Sequence, residues 1–284
     1  MRLGEIGSEQ VVTVGSSDSV DSAFKLMVEH DIRHLPIVDG DKVVGILSDR
    51  DLLTIVCQIS AWKSLTKQST SVGKKRVSEL MSAPTSVLSP GDSVEQAAQL
   101  MLRGRFSAVP LERDGRLVAI VTDTDILRCY MDDSVMGASR PWRDLKVADH
   151  MSEAVVTAKP TDLVMPSFEL MQQKQIRHLP IVEGGKLVGL ISDRDLRRSQ
   201  GREIALNLAR DEPDQEMRSA LGDVMSRRVE TVARLTSLAH AASRMVTCKI
   251  GALPVTEHEE LLGIITETDF LRVFVTHCES SRIR

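Results

Sequence analysis

The alternation of apolar and polar residues changes period along the chain in a fixed order, and that order occurs four times. A short run such as Val11-Val12-Thr13-Val14 or Val155-Val156-Thr157 predicts a strand. Apolar residues at helical spacing follow: Val20, Ala23, Phe24 and Met27 in one copy, Val94, Ala97, Ala98 and Met101 in another. They predict a helix buried along one face, with Ser19 and Ser93 placed as N-caps. Two short strands, 35–38 and 43–47 in the first copy, flank Asp39-Gly40, a tight-hairpin signal. Asp114-Gly115 and Glu183-Gly184-Gly185 repeat that turn, whereas Glu257-His258-Glu259-Glu260 lacks its glycine. A second helix begins at Asp51 and its counterparts, so the order is β-α-β-β-α.

Two landmarks keep these copies in register. Leu35-Pro36-Ile37, Val109-Pro110-Leu111, Leu179-Pro180-Ile181 and Leu253-Pro254-Val255 are spaced by 74, 70 and 74 residues, and Ser48-Asp49-Arg50-Asp51, Thr122-Asp123-Thr124-Asp125, Ser192-Asp193-Arg194-Asp195 and Thr266-Glu267-Thr268-Asp269 keep the same spacings. Shifted by 144, residues 32–52 match 176–196 at 16 of 21 positions; shifted by 74, they match 106–126 at 5 of 21. Units one and three are therefore one type, and units two and four the other. The units span 1–56 (the repeat itself from residue 3), 78–130, 147–198 and 222–275, with connectors at 57–77, 131–146 and 199–221. A unit of about 53 residues buries only ~60% of its extended surface, so each is expected to pack against a partner. Arg140-Pro141-Trp142 marks the boundary between two pairs, and no remaining piece is large enough for a separate catalytic domain.

Composition narrows the function classes. Hydrophobic residues make up 42% and charged residues 27%, so a core can form, and with aromatics at 3% that core is aliphatic. Met27, Met101, Met171 and Met245 recur at one helix position and are expected in it. A formal charge of -4 argues against a strongly basic nucleic-acid binder. Lys63 to Arg76 is basic but lacks interleaved aromatics, which favours a solvated connector. Apolar runs are far shorter than the roughly 18 residues of a membrane span, the N-terminus has no secretory pattern, and the four Cys show no disulfide or CxxC spacing. The expectation is a soluble, cytoplasmic, reduced protein. Neither metal-ligand spacing nor a P-loop, nucleophile elbow or paired catalytic acids is found.

The apolar-Pro-apolar strand, the Gly45-Ile46-Leu47-Ser48 type of strand end and the Ser/Thr-x-x-Asp signature, four times over, resemble the CBS domain. The layout is similar to that of the nucleotide-sensing gamma subunit of AMP-activated protein kinase. The resemblance implies an α/β (α+β) fold of four β-α-β-β-α units, arranged as two pairs with pseudo-two-fold symmetry in a flat disc. It also implies adenosine-containing ligands in clefts between paired units. It matches Asp51, Asp125, Asp195 and Asp269 to the family's ribose-reading residue. Ser48, Thr122, Ser192 and Thr266 stand where a strand turns into a helix, whose first N–H groups favour phosphate. The same Ser/Thr-x-x-Asp pattern also reads as a capping box that needs no ligand, and both readings can hold together.

The two unit types differ where phosphate would sit. Units one and three carry Arg33-His34 and Arg177-His178 before the Leu-Pro strand, and Arg50 and Arg194 inside the signature. Units two and four have Ser107-Ala108 and Gly251-Ala252, with Thr124 and Thr268. By the resemblance, the six cationic or near-cationic groups hold phosphates near the centre, the small residues leave room, and Thr124 and Thr268 add contacts. The plainer alternative pairs Arg50 and Arg194 with Asp49, Asp193 or other surface acids. Ala119 replaces the glycine of the other units and is expected to narrow the second cleft.

The leading expectation is a non-catalytic regulatory module that senses AMP, ADP or ATP, with or without Mg, requires no cofactor and is read by an unidentified protein partner. A homodimer is allowed; nucleic acid, membrane and a resident metal are not expected. The alternatives are a sensor of S-adenosylmethionine, NAD or a cyclic dinucleotide, and a ligand-free interaction scaffold.

Overall fold

The computed structural model describes residues 1–48, 50–52, 74–82, 86–131, 144–196 and 219–282. Most of the basic stretch from Lys63, the Pro141-Trp142 boundary and the connector 199–221 up to residue 218 lie outside these residues.

Every unit is built on an antiparallel hairpin: β2 (His34–Asp39) with β3 (Lys42–Ser48), β4 (Ala108–Arg113) with β5 (Arg116–Thr122), β6 (His178–Glu183) with β7 (Lys186–Ser192), and β8 (Ala252–Glu257) with β9 (Glu260–Thr266). Before each hairpin runs an amphipathic helix: α1 (Val20–Glu29), α2 (Val94–Gly104), α4 (Val164–Lys174) and α5 (Leu238–Cys248). Ser19, Ser93 and Ser237 cap three of them by accepting from the N–H of Ser22, Gln96 and His240; Leu163 stands at that place in the third unit and has no capping side chain. The four recurrent methionines are buried, as their spacing predicts. After the hairpins come α3 (Asp123–Arg128) and α6 (Glu267–Arg282), with helix starts at 50–52 and 193–196 in the odd units.

The leading strands are shorter than the sequence pattern predicts. Among the described residues only β1 (Val14–Gly15) forms, parallel to β2, while Leu88, Ala158 and Val232 make single parallel bridges to Leu111, Ile181 and Val255. Each of these three donates to the carbonyl of the hairpin proline, at 3.1–3.2 Å. Proline has no N–H to extend the ladder, so the pairing stops there.

Units pair by exchanging their leaders. Leu3–Glu5, ahead of the first unit's strands, hydrogen-bonds the second unit through Leu3 N to Asp92 O and Ser8 N to Ile120 O. Val77–Glu79 returns the exchange through Val77 N to Asp18 O and Ser82 N to Ile46 O. Val147–Asp149 and the turn Leu221–Val224 do the same for units three and four. The apolar leader residues Leu3, Val77, Val147 and Leu221 are all fully buried, each in a core cluster to which the neighbouring unit contributes.

This exchange explains Gly45. A Cβ there would stand 2.4 Å from Met81 Sδ; Gly189 meets Met225 at the same distance and Gly263 meets Met151 at 2.8 Å. In unit two the exchange partner is Gly7, whose Cβ would lie 3.3 Å from that of Ala119. The Ala119 methyl thus occupies space that a methionine fills elsewhere, and the expected narrowing of a cleft by this methyl is corrected: the methyl faces the Gly7 leader.

The two pairs join mainly through the even units. One core cluster holds α2 and α3 residues together with Leu238, Phe270, Leu271 and Phe274 of unit four. Tyr130 packs edge-on to Phe270 at 5.2 Å and donates its hydroxyl to the Phe270 carbonyl. The pairs thus share an apolar core through the even units, whereas the odd units keep separate cores.

Candidate functional site

At the centre, one or two side chains from every unit meet. Arg33 of unit one and Arg177 of unit three each precede a hairpin strand, and Asp123 and Glu267 of units two and four each open a helix. Arg33 donates to Asp123 Oδ1 at 3.2 Å and to Glu267 Oε2 at 3.4 Å. Arg177 donates to Asp123 Oδ2 at 3.2 Å and lies 3.9 Å from Glu267 Oε2. The two acid side chains are 0% and 3% exposed, the arginines 21% and 28%. The acids therefore form the floor and the guanidiniums the part that solvent reaches.

The floor is fitted to its neighbours. Ser107 Oγ accepts from Arg177 Nη1 at 2.8 Å and sits 2.9 Å from His34 Nε2. Its counterpart is Gly251, where a Cβ would stand 2.9 Å from Glu267 Oε2 and 3.0 Å from His178 Cε1. The shorter acid thus accompanies the serine, and the longer acid accompanies the glycine. Thr124 donates to Glu267 Oε1 at 2.8 Å and lies 3.4 Å from Arg33 Nη2; Thr268, one residue after Glu267, is half-buried.

The electrostatics follow from burial. Burial, then Arg33 and Arg177, hold His34 down at about 3, and burial followed by Arg177 does the same to His178. Both rings are neutral at pH 7, so of the six expected cationic groups only the four arginines carry charge. Burial, then the adjacent Glu267, raise Asp123 to about 6. Burial also opposes charge on Glu267, but Arg33 and Arg177 outweigh it and hold that carboxyl below its usual range. Asp193 is raised to about 6 by burial, against the pull of Arg50, and its Oδ1 has no hydrogen-bond partner among the described residues.

Arg50 crosses to unit three, donating to Ile176 O at 2.9 Å with Nε 3.8 Å from Asp193 Oδ2. Arg194 instead donates to Lys249 O of unit four. The pairing of Arg50 with an acid is real, but that acid is buried and belongs to another unit.

The four signature aspartates act as caps. Asp51, Asp125, Asp195 and Asp269 each accept at Oδ2 from both the backbone N–H and the hydroxyl of Ser48, Thr122, Ser192 and Thr266, at 2.6–2.9 Å. Oδ1 of Asp125 and of Asp269 accepts from Arg128 and Arg272, three residues on. Asp269 is raised by burial despite these partners.

The sequence reading missed Asp123 and Glu267 as site residues. One signal was available: the position after the signature Ser or Thr is acidic in every unit, as Asp49, Asp123, Asp193 and Glu267. Among the described residues no group of three or more His, Cys, Asp or Glu could hold a metal, and no helix is long and apolar enough to cross a membrane.

Four leader-hairpin-helix units that exchange leaders in pairs define the class. The CBS domain family model matches residues 3–57, 77–132, 147–201 and 221–276, and the chain belongs to that family. It is similar to protein MJ1225 of Methanocaldococcus jannaschii, 26% identical over 276 residues covering 94% of this chain and 96% of the relative. The crystal structure of MJ1225, a proposed archaeal homolog of g-AMPK, superposes with a TM-score of 0.86 over 96% of this chain and 100% of that one. An uncharacterized 33.4 kDa protein of Thermofilum pendens is 27% identical over 92% of this chain and 87% of its own length. CBSX2 of Arabidopsis thaliana, crystallised in complex with AMP, matches 47% of this chain and 98% of its own at 26% identity, with a TM-score of 0.39.

Proposed function

We infer that the chain is a non-catalytic regulatory module that binds an adenine nucleotide between paired units, with the phosphate end at Arg33 and Arg177. One observation carries the reading: guanidiniums from two different units converge within 3.2 Å of the same carboxylate, Asp123. Two planar donors aimed at one small anion make a preorganised oxyanion site. Membership of the CBS family supplies the adenosyl class. The caps keep each signature Asp oriented, so a ribose diol meets a fixed acceptor, and the N–H groups of the helix starts supply further anion donors. Regulation follows from differential affinity: a ligand that touches all four units favours the arrangement in which they meet, and a protein partner senses that arrangement.

The test is thermal melting with AMP, ADP and ATP, with and without Mg, on protein freed of nucleotide. A saturable rise is expected, about 2.7 kcal/mol at a hundredfold excess over Kd. A flat response to all three overturns the reading.

A second reading has its own support. The acid floor offsets the arginines, and that suits an adenosyl ligand without phosphate, such as S-adenosylmethionine. Calorimetry with both ligand types separates the two.

A further inference from the structure

We propose that Asp123 and Glu267 determine phosphate selectivity: as internal anions beneath Arg33 and Arg177, they favour a ligand with one phosphate over a ligand with three. The proposal deepens the nucleotide reading and depends on it.

Three observations support it. First, the charges at the centre are nearly cancelled before any ligand arrives. Arg33 and Arg177 face Asp123 and Glu267 at 3.2–3.9 Å, Arg50 faces Asp193 at 3.8 Å, Arg194 lies on the Lys249 carbonyl, and His34 and His178 are neutral rings. Second, the acids are buried and cannot swing away into solvent, whereas the arginines above them are partly exposed. A ligand phosphate that reaches the guanidiniums therefore stays close to two fixed negative charges. Third, this geometry is accommodated on both sides of the pseudo-two-fold: Gly251 clears the space that the longer Glu267 needs, and Ser107 fills it beside the shorter Asp123. Both carboxylates thereby reach the same pair of arginines.

The consequence is a dependence on ligand charge. One phosphate exchanges hydration for two guanidiniums and is repelled by two carboxylates. Each further phosphate adds repulsion at short range in a poorly screened interior, while the cations it would need are already engaged. An amide of the same shape at either position removes the charge and keeps one acceptor oxygen, while its NH2 group replaces an oxygen that accepted from an arginine or from Thr124.

Asp123→Asn and Glu267→Gln, made separately, test this. Far-UV circular dichroism and melting establish that each is folded, and calorimetry at fixed ionic strength then measures adenosine, AMP and ATP. The unsubstituted chain is expected to bind AMP more tightly than ATP. Each variant is expected to gain about tenfold for ATP, less for AMP and nothing for adenosine; either variant alone suffices to show the ordering. Tighter binding of ATP than AMP by the unsubstituted chain, or a gain as large for adenosine as for ATP, overturns the selectivity assignment while leaving nucleotide binding intact. So does an unchanged ATP affinity in the folded variants. Absence of binding of all three by the unsubstituted chain overturns the nucleotide reading itself, and this proposal with it.

Discussion

Met81 lies over Gly45 so closely that a Cβ on the glycine would stand 2.4 Å from its sulfur and 2.9 Å from its Cγ. The methionine belongs to the leader that unit two lends to unit one, so this contact joins the pair. Gly45→Ala should destabilise the chain by about 1–3 kcal/mol, the usual cost of overpacking. Adding Met81→Gly should recover part of that loss, because it recreates the Ala119–Gly7 combination of unit two. Chemical denaturation of the single and double variants measures the coupling; strictly additive losses would show that the two residues do not share the space.

Removing a guanidinium from the centre uncovers the acid floor. Arg33→Ala should cost about 2–3 kcal/mol, somewhat less than the breaking of a fully buried ion pair because Arg33 is partly exposed. The same substitution in an Asp123→Asn background should cost clearly less. Equal losses in both backgrounds, measured by urea unfolding, would separate Arg33 from Asp123. Loss of nucleotide binding in an Arg33→Ala, Arg177→Ala protein is therefore interpretable only alongside its stability.

His34 and His178, at about 3 in the fold against 6.5, leave the unfolded chain with more bound protons, so stability drops as pH falls below 6.5. Asp123 and Asp193, at about 6 against 3.8, bind protons in the fold first and restore stability as pH falls through about 6. These two pairs of groups oppose each other down to about pH 4. Glu267, depressed from 4.5, adds a loss below about 4.5. Stability should stay nearly level between pH 6.5 and 4.5 and then fall steeply. Asp123→Asn removes one restoring group, so its stability should already decline as pH falls between 6 and 4.5, where that of the unsubstituted chain stays nearly level. Denaturation midpoints at pH 7, 6, 5 and 4 check both curves; a level curve for the variant would contradict the assignment.

Unit four closes its hairpin without glycine, and His258 and Glu259 adopt φ of +50° and +70° there. Left-handed backbone costs a side-chain-bearing residue about 1–2 kcal/mol. His258→Gly should therefore stabilise the chain by up to about 1 kcal/mol, leaving the Glu259–Lys186 pair in place. A lowered melting temperature would contradict this.

Much of the fold was legible because it is written in periodicity. Val20, Ala23, Phe24 and Met27 lie on one buried face, and Ser19 and Ser93 cap their helices where the pattern placed them. The leading strands were overestimated because a run such as Val155-Val156-Thr157 shows β preference but not that its partner strand carries a proline. The convergence of Arg33 and Arg177 was expected from the resemblance to the CBS domain. Their carboxylate floor was not, since Asp123 and Glu267 look like ordinary first-turn acids until the units are arranged around one centre. The neutral state of His34 and His178 was equally hidden, because it follows from burial by residues distant in sequence. Likewise the neighbour of Ala119 is Gly7, more than a hundred residues away in the chain.

The central claim is that the odd-unit arginines hold the anionic end of an adenosyl ligand above the Asp123–Glu267 floor. A crystal structure of the chain with AMP tests it most directly. Phosphate oxygens are expected at hydrogen-bond distance, roughly 2.7–3.2 Å, from both Arg33 and Arg177. A phosphate bound elsewhere, with both guanidiniums still engaged by the two acids alone, would contradict it.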